Sequence, residues 1–502
     1  MLEDPEDNSI SNVLKLHLLL GGDLHQPGNN VIDDQLSFYY PGVGTYGSWF
    51  DKLRNILKAP PSEDVGTIIK SGFRDLYQNY EVGDQVFLFG FSRGAAIARR
   101  FASVLKDTFE AIKPGIPAPQ IEFIGVFDTV AAIKKPNLFK EEIKPASDVV
   151  FENGTISPSI KEALHLVSLD DRRIPFMPTL MNKDVRVKEI WFPGAHSDIG
   201  GGYRHDGLSD YTLQFMVDYF KDNVKLGLSF LSPAEVNYKD LFDGSYEPIQ
   251  YEDVIIQPNF MGKNHEQSAI TKIKKSMLND RTPRVNINDK HSMESPVIHH
   301  CVFDRMVRDK EYNPKSLANN LKNPYTGENT EFYIWNQDGL SQNTYINLED
   351  AKLESKVNPY KLNVGNSKEL YVMANVKFNQ TGVLVDKGEK YSFKIDVKQK
   401  WYDASIECTP KGWTRKNKSL SLLQKPIIWF MEDNRRHPKA KWFEIIGTIN
   451  RNDIDNFKIL DHISKTEYSP TAKGELYLYA NDLESKYGNN RGTIMLTITR
   501  KA

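Results

Sequence analysis

The chain has 502 residues, and its 64 Lys and Arg stand against 66 Asp and Glu, which gives a formal net charge of -2. Charged residues make up 26% and aromatic residues 11%, which is typical of globular proteins with large cores. This balance provides no electrostatic reason to expect nucleic acid as a partner, and two cysteines are too few for a disulfide framework.

The amino-terminal residues, MLEDPED, are acidic. They lack the basic and apolar regions of a signal peptide. We therefore expect a protein that is made in the cytoplasm without a cleaved leader.

Strands and helices alternate along the first half of the chain. The apolar patterns predict strands and helices in the following order: a strand at 13–22, a helix at 64–80, a strand at 86–89 with a helix after it, a strand at 121–127, a helix at 160–169, a strand at 185–192 and a helix at 295–308. Such alternation predicts the α/β class, with a mainly parallel sheet flanked by helices.

The later part of the chain has a different pattern. Residues 230–295 are irregular and predict an insertion or lid within a catalytic domain at 1–365. Short β-rich runs then predict an all-β sandwich at 366–502; they lie at 370–378, 391–398, 426–431, 443–449, 475–480 and 493–499.

The sequence VFLFGFSRGAAIA (86–98) places Ser92 between an apolar strand and an Ala-rich helix. A serine at the apex of such a turn is typical of a nucleophile elbow. We expect bulky residues to clash at both glycines, Gly90 and Gly94. A surface turn is the alternative interpretation.

A serine nucleophile needs a base and an acid that orients the base. Asp128 directly follows the strand at 121–127, although it also suits a helix cap. His196 lies in a glycine-rich loop with Asp198, a second acid candidate that we expect to shape the loop. The alternative histidines are His165, His299, His300, His17 and His25.

The tetrahedral intermediate of acyl transfer needs backbone N–H donors for its oxyanion. In α/β-hydrolases one donor follows the nucleophile and the other follows an early strand. We therefore expect these donors at Arg93 and in the loop around Gly22 and Asp23.

Three ordered blocks resemble a bacterial α/β-hydrolase family, the type VI secretion phospholipase effectors of the first Tle lipase group. They are GFSRGA (90–95), GVFDTV (125–130) and PGAHSDIGGGY (193–203), and two further blocks are YYPGVGT (39–45) and IHHCVFDR (298–305). The family's catalytic residues fall on Ser92, Asp128 and His196. The loop LGGDLHQPGNN (20–30) departs from the family's Asp-Gly-Thr-like turn.

The resemblance implies a serine esterase or lipase that cleaves phospholipids through an acyl-enzyme and acts as a secreted antibacterial effector. The implied partners are a phospholipid or other ester, secretion-apparatus proteins and an immunity protein, with peripheral membrane contact. Catalysis needs no cofactor in this interpretation. There are two alternatives. The first is a delivery protein that binds glycan or the cell envelope and whose hydrolase domain is degenerate, and the second is an esterase for non-lipid substrates.

The C-terminal blocks GELYLYAND (474–482) and YGNNRG (487–492) resemble the final hairpin of LecA-type galactophilic lectins. The resemblance implies calcium ligands at Asp482, Asn489, Asn490 and the backbone carbonyl of Lys486. One carboxylate with neutral oxygens suits Ca²⁺. A simple hairpin turn at 489–492 is the alternative.

Overall fold

The computed structural model describes two compact units, which we call the N-terminal unit (residues up to Ser355) and the C-terminal unit (residues from 359). The described residues are 9–25, 28, 30–42, 62–131, 156–203, 207–224, 228–239, 241, 248–265, 278–309, 311–318, 321–322, 327–336, 339–353, 355, 359–417, 420, 424–463 and 466–502. The division lies ten residues before the predicted boundary at 366. Most of the predicted insertion is described, but 240, 242–247 and 266–277 lie outside the described residues.

A seven-stranded sheet forms the centre of the N-terminal unit, in the order β1-β2-β3-β4-β7-β8-β9. All neighbouring pairs are parallel except β8 and β9. The predicted α/β class with a mainly parallel sheet is confirmed. The strands are β1 Val86–Phe91, β2 Ile121–Phe127, β3 Ala163–Ser168, β4 Val187–Phe192, β5 Asn286–Ile287, β6 Lys290–His291, β7 Val297–His299, β8 Tyr333–Asn336 and β9 Gly339–Leu340, with β5 and β6 forming a separate hairpin.

Helices cover both faces of this sheet. The helices of the N-terminal unit are α1 Asn12–Leu19, α2 Ser62–Asn79, α3 Arg93–Ile112, α4 His196–Gly200, α5 Gly207–Tyr219, α6 Tyr251–Val254, α7 His300–Arg308, α8 Lys315–Ala318 and α9 Leu348–Leu353. Alternate residues of β1 point to opposite faces. Phe87 and Phe89 pack in a core with α1 and α5, whereas Val86 and Leu88 pack in a core with α2 and α3. The sheet is therefore buried on both faces.

Three elements of this unit differ from the prediction. In the helix predicted at 295–308, residues 297–299 instead form strand β7, and helix α7 begins at His300. The strand predicted at 13–22 is wrong, because residues 12–19 form helix α1, which begins where the Ser11 hydroxyl accepts the Leu14 N–H. The helix predicted at 160–169 is also wrong, because 163–168 form the fully buried strand β3. Both segments are short apolar runs, and a run buried on all sides shows neither helical nor strand periodicity.

The C-terminal unit is built from β-strands around a large apolar core, as predicted for 366–502. Strands β10, β12, β19, β17 and β16 form one sheet with β18 at its side, and two three-stranded sheets have the orders β11-β21-β13 and β15-β14-β20. The strands are β10 Tyr360–Lys361, β11 Ser367–Met373, β12 Asn379–Val385, β13 Tyr391–Ile395, β14 Trp401–Asp403, β15 Ile406–Cys408, β16 Lys411–Trp413, β17 Trp442–Ile449, β18 Phe457–Lys458, β19 Gly474–Ala480, β20 Asn490–Arg491 and β21 Thr493–Arg500.

One helix interrupts these strands. The strand predicted at 426–431 is wrong, because Gln424–Met431 form helix α10. Pro426 is the third residue of this helix, where a missing N–H costs no intrahelical hydrogen bond. Within the described part of the chain, no helix has the length and apolarity needed to cross a membrane.

Candidate active site

Ser92 lies in a strained turn between β1 and α3. Its backbone has φ 58° and ψ -123°, a conformation that L-residues rarely adopt and that nucleophile elbows require. A Cβ on Gly90 would lie 2.6 Å from the Ala95 Cα, so this position requires glycine. The clash expected at Gly94 is wrong, since a Cβ there meets nothing within 4 Å.

The structure brings Ser92, His196 and Asp128 together. The carboxyl ends of β1 and β2 lie side by side, since Phe91 is paired with Phe127, and this places Ser92 and Asp128 at one sheet edge. The His196 Nε2 lies 2.8 Å from the Ser92 Oγ, and its Nδ1 lies 2.6 Å from the Asp128 Oδ2. These contacts have the geometry of a Ser-His-Asp triad.

The hydrogen bonds define the protonation of this arrangement. A carboxylate only accepts, so the His196 Nδ1–H donates to Asp128 and Nε2 accepts from the Ser92 hydroxyl. Burial lowers the pKa of His196 despite the neighbouring Asp128 carboxylate. The imidazole is therefore neutral and able to take a proton near neutral pH.

A buried arginine holds the acid. Both Arg281 Nη atoms donate to Asp128, at 2.7 Å to Oδ1 and 3.0 Å to Oδ2, and also bond to the carbonyls of Ser168 and Phe176. The Ser168 N–H donates to the Asp128 Oδ1 at 3.0 Å. Burial raises the pKa of Asp128, but the guanidinium and the His196 bond outweigh it and lower that pKa to about 2.

A second ion pair fixes the backbone of the base. The Asp171 Oδ2 accepts the His196 N–H at 3.1 Å and also binds the Arg173 Nη2 at 2.5 Å. The Arg173 guanidinium lies 3.6 Å from the centre of the Phe176 ring, and that ring packs edge-on against the His196 imidazole. The buried Asp171–Arg173 pair thus contacts the His196 backbone directly and supports its imidazole through the Phe176 ring.

Arg281 and the Asp171–Arg173 pair were missed from the sequence. Arg281 is 153 residues from Asp128, in a Lys- and Asn-rich stretch that carries no motif. Asp171 and Arg173 follow the end of β3. Residues at the carboxyl ends of parallel strands often form functional sites, and this position could have indicated the pair. That signal was lost because β3 was predicted as a helix.

Asp198 shapes the loop, as expected. Its Oδ2 accepts the Ala195 N–H at 2.8 Å, and its Oδ1 lies 2.6 Å from the Nδ1 of His265. The glycines that follow permit close packing, since a Cβ on Gly200 would lie 2.0 Å from the Phe91 ring. Asp198 therefore supports a different histidine and does not contact the triad base.

The alternative histidines have other contacts. His165 accepts the Thr129 N–H and binds Glu189 from within β3, so the amphipathic helix expected around it is absent from these residues. His299 stacks on Phe192, His300 binds Asp304, and the Nδ1 of His17 contacts Ser37; His25 is exposed. None of these described contacts reaches Ser92.

The backbone N–H groups predicted to bind the oxyanion lie at the start of α3 and in the loop after α1. Arg93 is the first residue of α3, and N–H groups at a helix start point out of the helix. In the early loop, the Gly22 N–H donates to the His17 carbonyl at 3.0 Å at the end of α1, and the Asp23 carboxylate accepts the His25 N–H. The oxyanion roles of Arg93, Gly22 and Asp23 stay predictions.

The predicted calcium ligands lie around β20 in the C-terminal unit. Asp482 accepts bonds from the Leu483 N–H and the Asn490 Nδ2, while the buried Asn490 Oδ1 has no hydrogen-bond partner among the described residues. The Lys486 carbonyl accepts the Asn489 N–H. Asp403 pairs with Asn490 across β14 and β20, and burial and the Asp482 charge raise its pKa to about 7.

These oxygens fit a divalent cation, because the buried Asp482 and the partly buried Asp403 carry charges that repel one another, and an unpaired amide oxygen also suits a hard metal ion. Asp403 was not among the predicted ligands. Within the described ranges, no group of three or more His, Cys, Asp or Glu side chains has the arrangement of a metal site.

The N-terminal unit matches the family model described as T6SS, Phospholipase effector Tle1-like, catalytic domain. The match covers residues 2–109 and 108–219, which include Ser92, Asp128 and His196. The resemblance predicted from the sequence blocks is confirmed. These residues are similar to a Tle1-like catalytic domain.

One curated relative is the uncharacterized protein YEL023C of Saccharomyces cerevisiae, which is 32% identical over 34% of this chain and 31% of its own length. The chain therefore spans about a third of that relative.

Solved structures with similarity include an uncharacterized protein from Pseudomonas aeruginosa, which is 25% identical over 34% of this chain and 28% of its own, with a TM-score of 0.24. Another is the Tle1 effector bound to the VgrG spike of the type 6 secretion system, at 25% identity over 38% of this chain and 40% of its own, with a TM-score of 0.25. A third is the EclA N-terminal domain, a PllA-like lectin, at 18% identity over 26% of this chain and 94% of its own, with a TM-score of 0.19.

Proposed function

We propose that this protein is a serine hydrolase that cleaves the carboxylic ester bonds of phospholipids. The observation that carries the proposal is the Ser92–His196–Asp128 chain of contacts at 2.8 and 2.6 Å on a strained elbow. The Tle1-like family match over the same residues supports phospholipid as the substrate class.

In the proposed mechanism, the Ser92 Oγ attacks the ester carbonyl while His196 Nε2 takes its proton. Asp128 orients the imidazole and stabilises the imidazolium, and Arg281 keeps Asp128 ionised. The alcohol leaves with the proton from His196, and an acyl group stays on Ser92. Water, activated by the same imidazole, then hydrolyses the acyl-enzyme.

We propose further that the protein is a secreted effector that binds a secretion-apparatus protein and an immunity protein. The similarity to a Tle1 effector domain supports this role. The intact triad geometry favours it over a delivery protein with a degenerate hydrolase domain.

The test is mass spectrometry of a mixed phospholipid extract after incubation with the wild type or Ser92→Ala. We expect free fatty acid and lysophospholipid with the wild type only, since removal of a triad nucleophile lowers kcat by roughly 10⁶-fold. Equal turnover by Ser92→Ala would refute the mechanism. Untouched phospholipids with hydrolysed p-nitrophenyl esters would instead support the non-lipid esterase.

For the C-terminal unit we propose calcium binding at Asp482, Asn489, Asn490 and the Lys486 carbonyl, with Asp403 as an added carboxylate. The repulsion of Asp403 and Asp482 and the unpaired Asn490 Oδ1 support the proposal. Bound calcium would supply positive charge that offsets both carboxylates. Isothermal titration with CaCl₂ tests it: the wild type should bind one ion, Asp482→Asn should not, and an absence of heat in the wild type would refute it.

A further inference from the structure

Helix α10 exposes apolar side chains opposite the face that it packs. Ile428 and Met431 contact the core of the C-terminal unit. Ile427, Trp429 and Phe430, which we call the aromatic patch, are 60%, 61% and 79% exposed. The helix is therefore anchored by one apolar face and presents a second apolar face to solvent.

The spacing explains why both faces are apolar. Positions 428 and 431 are three residues apart and share one face, while 427 and 430 share another. A surface helix with one buried stripe normally carries polar residues elsewhere. Scattered exposed apolar residues need no explanation, but a contiguous group that includes Trp and Phe indicates a binding surface.

The sequence around the patch is strongly basic. Residues 411–441 contain nine Lys and Arg against two Asp and Glu, a net charge of +7, whereas the whole chain carries -2. Lys411, Lys416, Lys439 and Lys441 are exposed. The Arg415 Nε lies 3.0 Å from the Glu432 Oε1, which holds the Lys416 loop beside the end of α10.

We infer that the C-terminal unit docks on a bilayer surface that contains anionic phospholipids. The aromatic patch would enter the boundary between headgroups and acyl chains, where Trp and Phe are favoured, and the lysines would contact the lipid phosphates. Arg436 in this segment is paired with Asp453, but Lys411, Lys416, Lys439 and Lys441 are exposed. This excess of exposed positive charge favours an anionic surface over a second copy of the chain, because two such segments repel.

This inference goes beyond the proposed function, because docking needs neither the triad nor turnover. It also gives the catalytic unit a means of reaching its substrate. The strand predicted at 426–431 did not indicate this surface. In a strand, side chains alternate between two faces, so every second residue of the run would have been buried.

The experiment uses the full chain with Ser92→Ala, so that vesicles stay intact. Co-sedimentation is measured with vesicles of phosphatidylcholine alone and of phosphatidylcholine with phosphatidylglycerol, at low and high salt. We expect binding to the anionic vesicles that weakens with salt. The double change Trp429→Asp and Phe430→Asp should lower the partition coefficient by about tenfold or more.

The matched control is Ile454→Asp. Ile454 is 90% exposed in the same unit, but it lies between Asp453 and Asp455. This control should bind vesicles like the parent. Because all three side chains are exposed, the variants should unfold at the parent's temperature, which circular dichroism checks. Lys439→Glu with Lys441→Glu should weaken binding to anionic vesicles only.

Three results would overturn the inference. The parent could fail to bind anionic vesicles, the patch variant could bind as well as the parent, or the patch variant could change only the oligomeric state, which would identify an interface between copies. Hydrolysis of a soluble p-nitrophenyl ester by the protein with Ser92 intact tests the proposed function separately.

Discussion

Asp128 and Asp171 are each buried against an arginine in the N-terminal unit, whereas Asp403 in the C-terminal unit is partly buried beside a second carboxylate, Asp482. The pKa of Asp128 is lowered and the pKa of Asp403 is raised, although burial raises both. The neighbouring charge decides the sign of the shift. The first arrangement keeps a carboxylate ionised beside the His196 imidazole, and the second leaves a site where a cation would be stabilised.

The units also differ at their surfaces. In the N-terminal unit the helices α1, α2, α3 and α5 turn apolar residues toward the sheet. In the C-terminal unit α10 turns Trp429 and Phe430 toward solvent. The buried ion pairs of the N-terminal unit hold side chains in place within the chain. The exposed apolar side chains of α10 are instead suited to contact with a partner.

The largest effect should follow from removal of the acid's charge. Asp128→Asn should lower kcat by about 10⁴-fold, because an amide no longer fixes the His196 tautomer. Steady-state hydrolysis of a p-nitrophenyl ester measures this. Asp210→Asn is a control, since Asp210 is also a buried carboxylate with a cationic partner. Its Oδ1 lies 2.7 Å from the Lys15 Nζ, and this pair takes no part in the triad contacts. A loss of the same size in the control would contradict a specific role of Asp128.

The arginine that pairs with Asp128 comes next. Arg281→Met leaves a buried carboxylate uncompensated, which should cost about 3–5 kcal/mol of unfolding free energy. Urea denaturation measures that loss. Because a positioning residue must also affect the triad, kcat should fall about tenfold or more with KM nearly unchanged, and Arg281→Lys should restore part of it. Normal kcat in a destabilised Arg281→Met protein would leave Arg281 with a structural role only.

The two facing carboxylates of the C-terminal unit predict a free energy of unfolding that falls as pH rises. The pKa of Asp403 is raised to about 7, so its contribution to stability is complete below its unfolded pKa near 4 and is lost as pH rises through 7. Relative to Asp403→Asn, the wild type should lose at most about 4 kcal/mol between pH 4 and 8. Urea midpoints across this range measure the difference, and added calcium should reduce it. A constant difference would argue against two facing carboxylates.

The smallest effect concerns the base. The proposed mechanism requires neutral His196, whose pKa is lowered by burial, so it predicts that kcat/KM rises with pH through a midpoint below 6.5. The Asp171 charge raises that pKa, and Asp171→Asn should therefore move the midpoint to still lower pH. A pH–rate profile on the soluble ester decides this. An unchanged midpoint or a shift to higher pH would mean that the Asp171 charge does not raise the pKa of the His196 imidazole.

The residues of the candidate site were easier to predict from the sequence than the secondary structure of several other segments. The strand before Ser92 and the strand before Asp128 carry their own periodicity, and both occur in the structure as β1 and β2. Residues 12–19, 163–168 and 424–431 were predicted in the wrong class. Each is a short apolar run whose period is ambiguous without its neighbours.

The sequence by itself determined the α/β class with a mainly parallel sheet, the sharp turn at Ser92 and the order of Ser92, Asp128 and His196, because local spacing and turn chemistry encode them. Only the tertiary structure decided that Arg281 pairs with Asp128, that Asp403 lies beside Asp482, and that Trp429 and Phe430 face solvent. Burial and charge pairing depend on residues distant along the chain, which packing alone brings together.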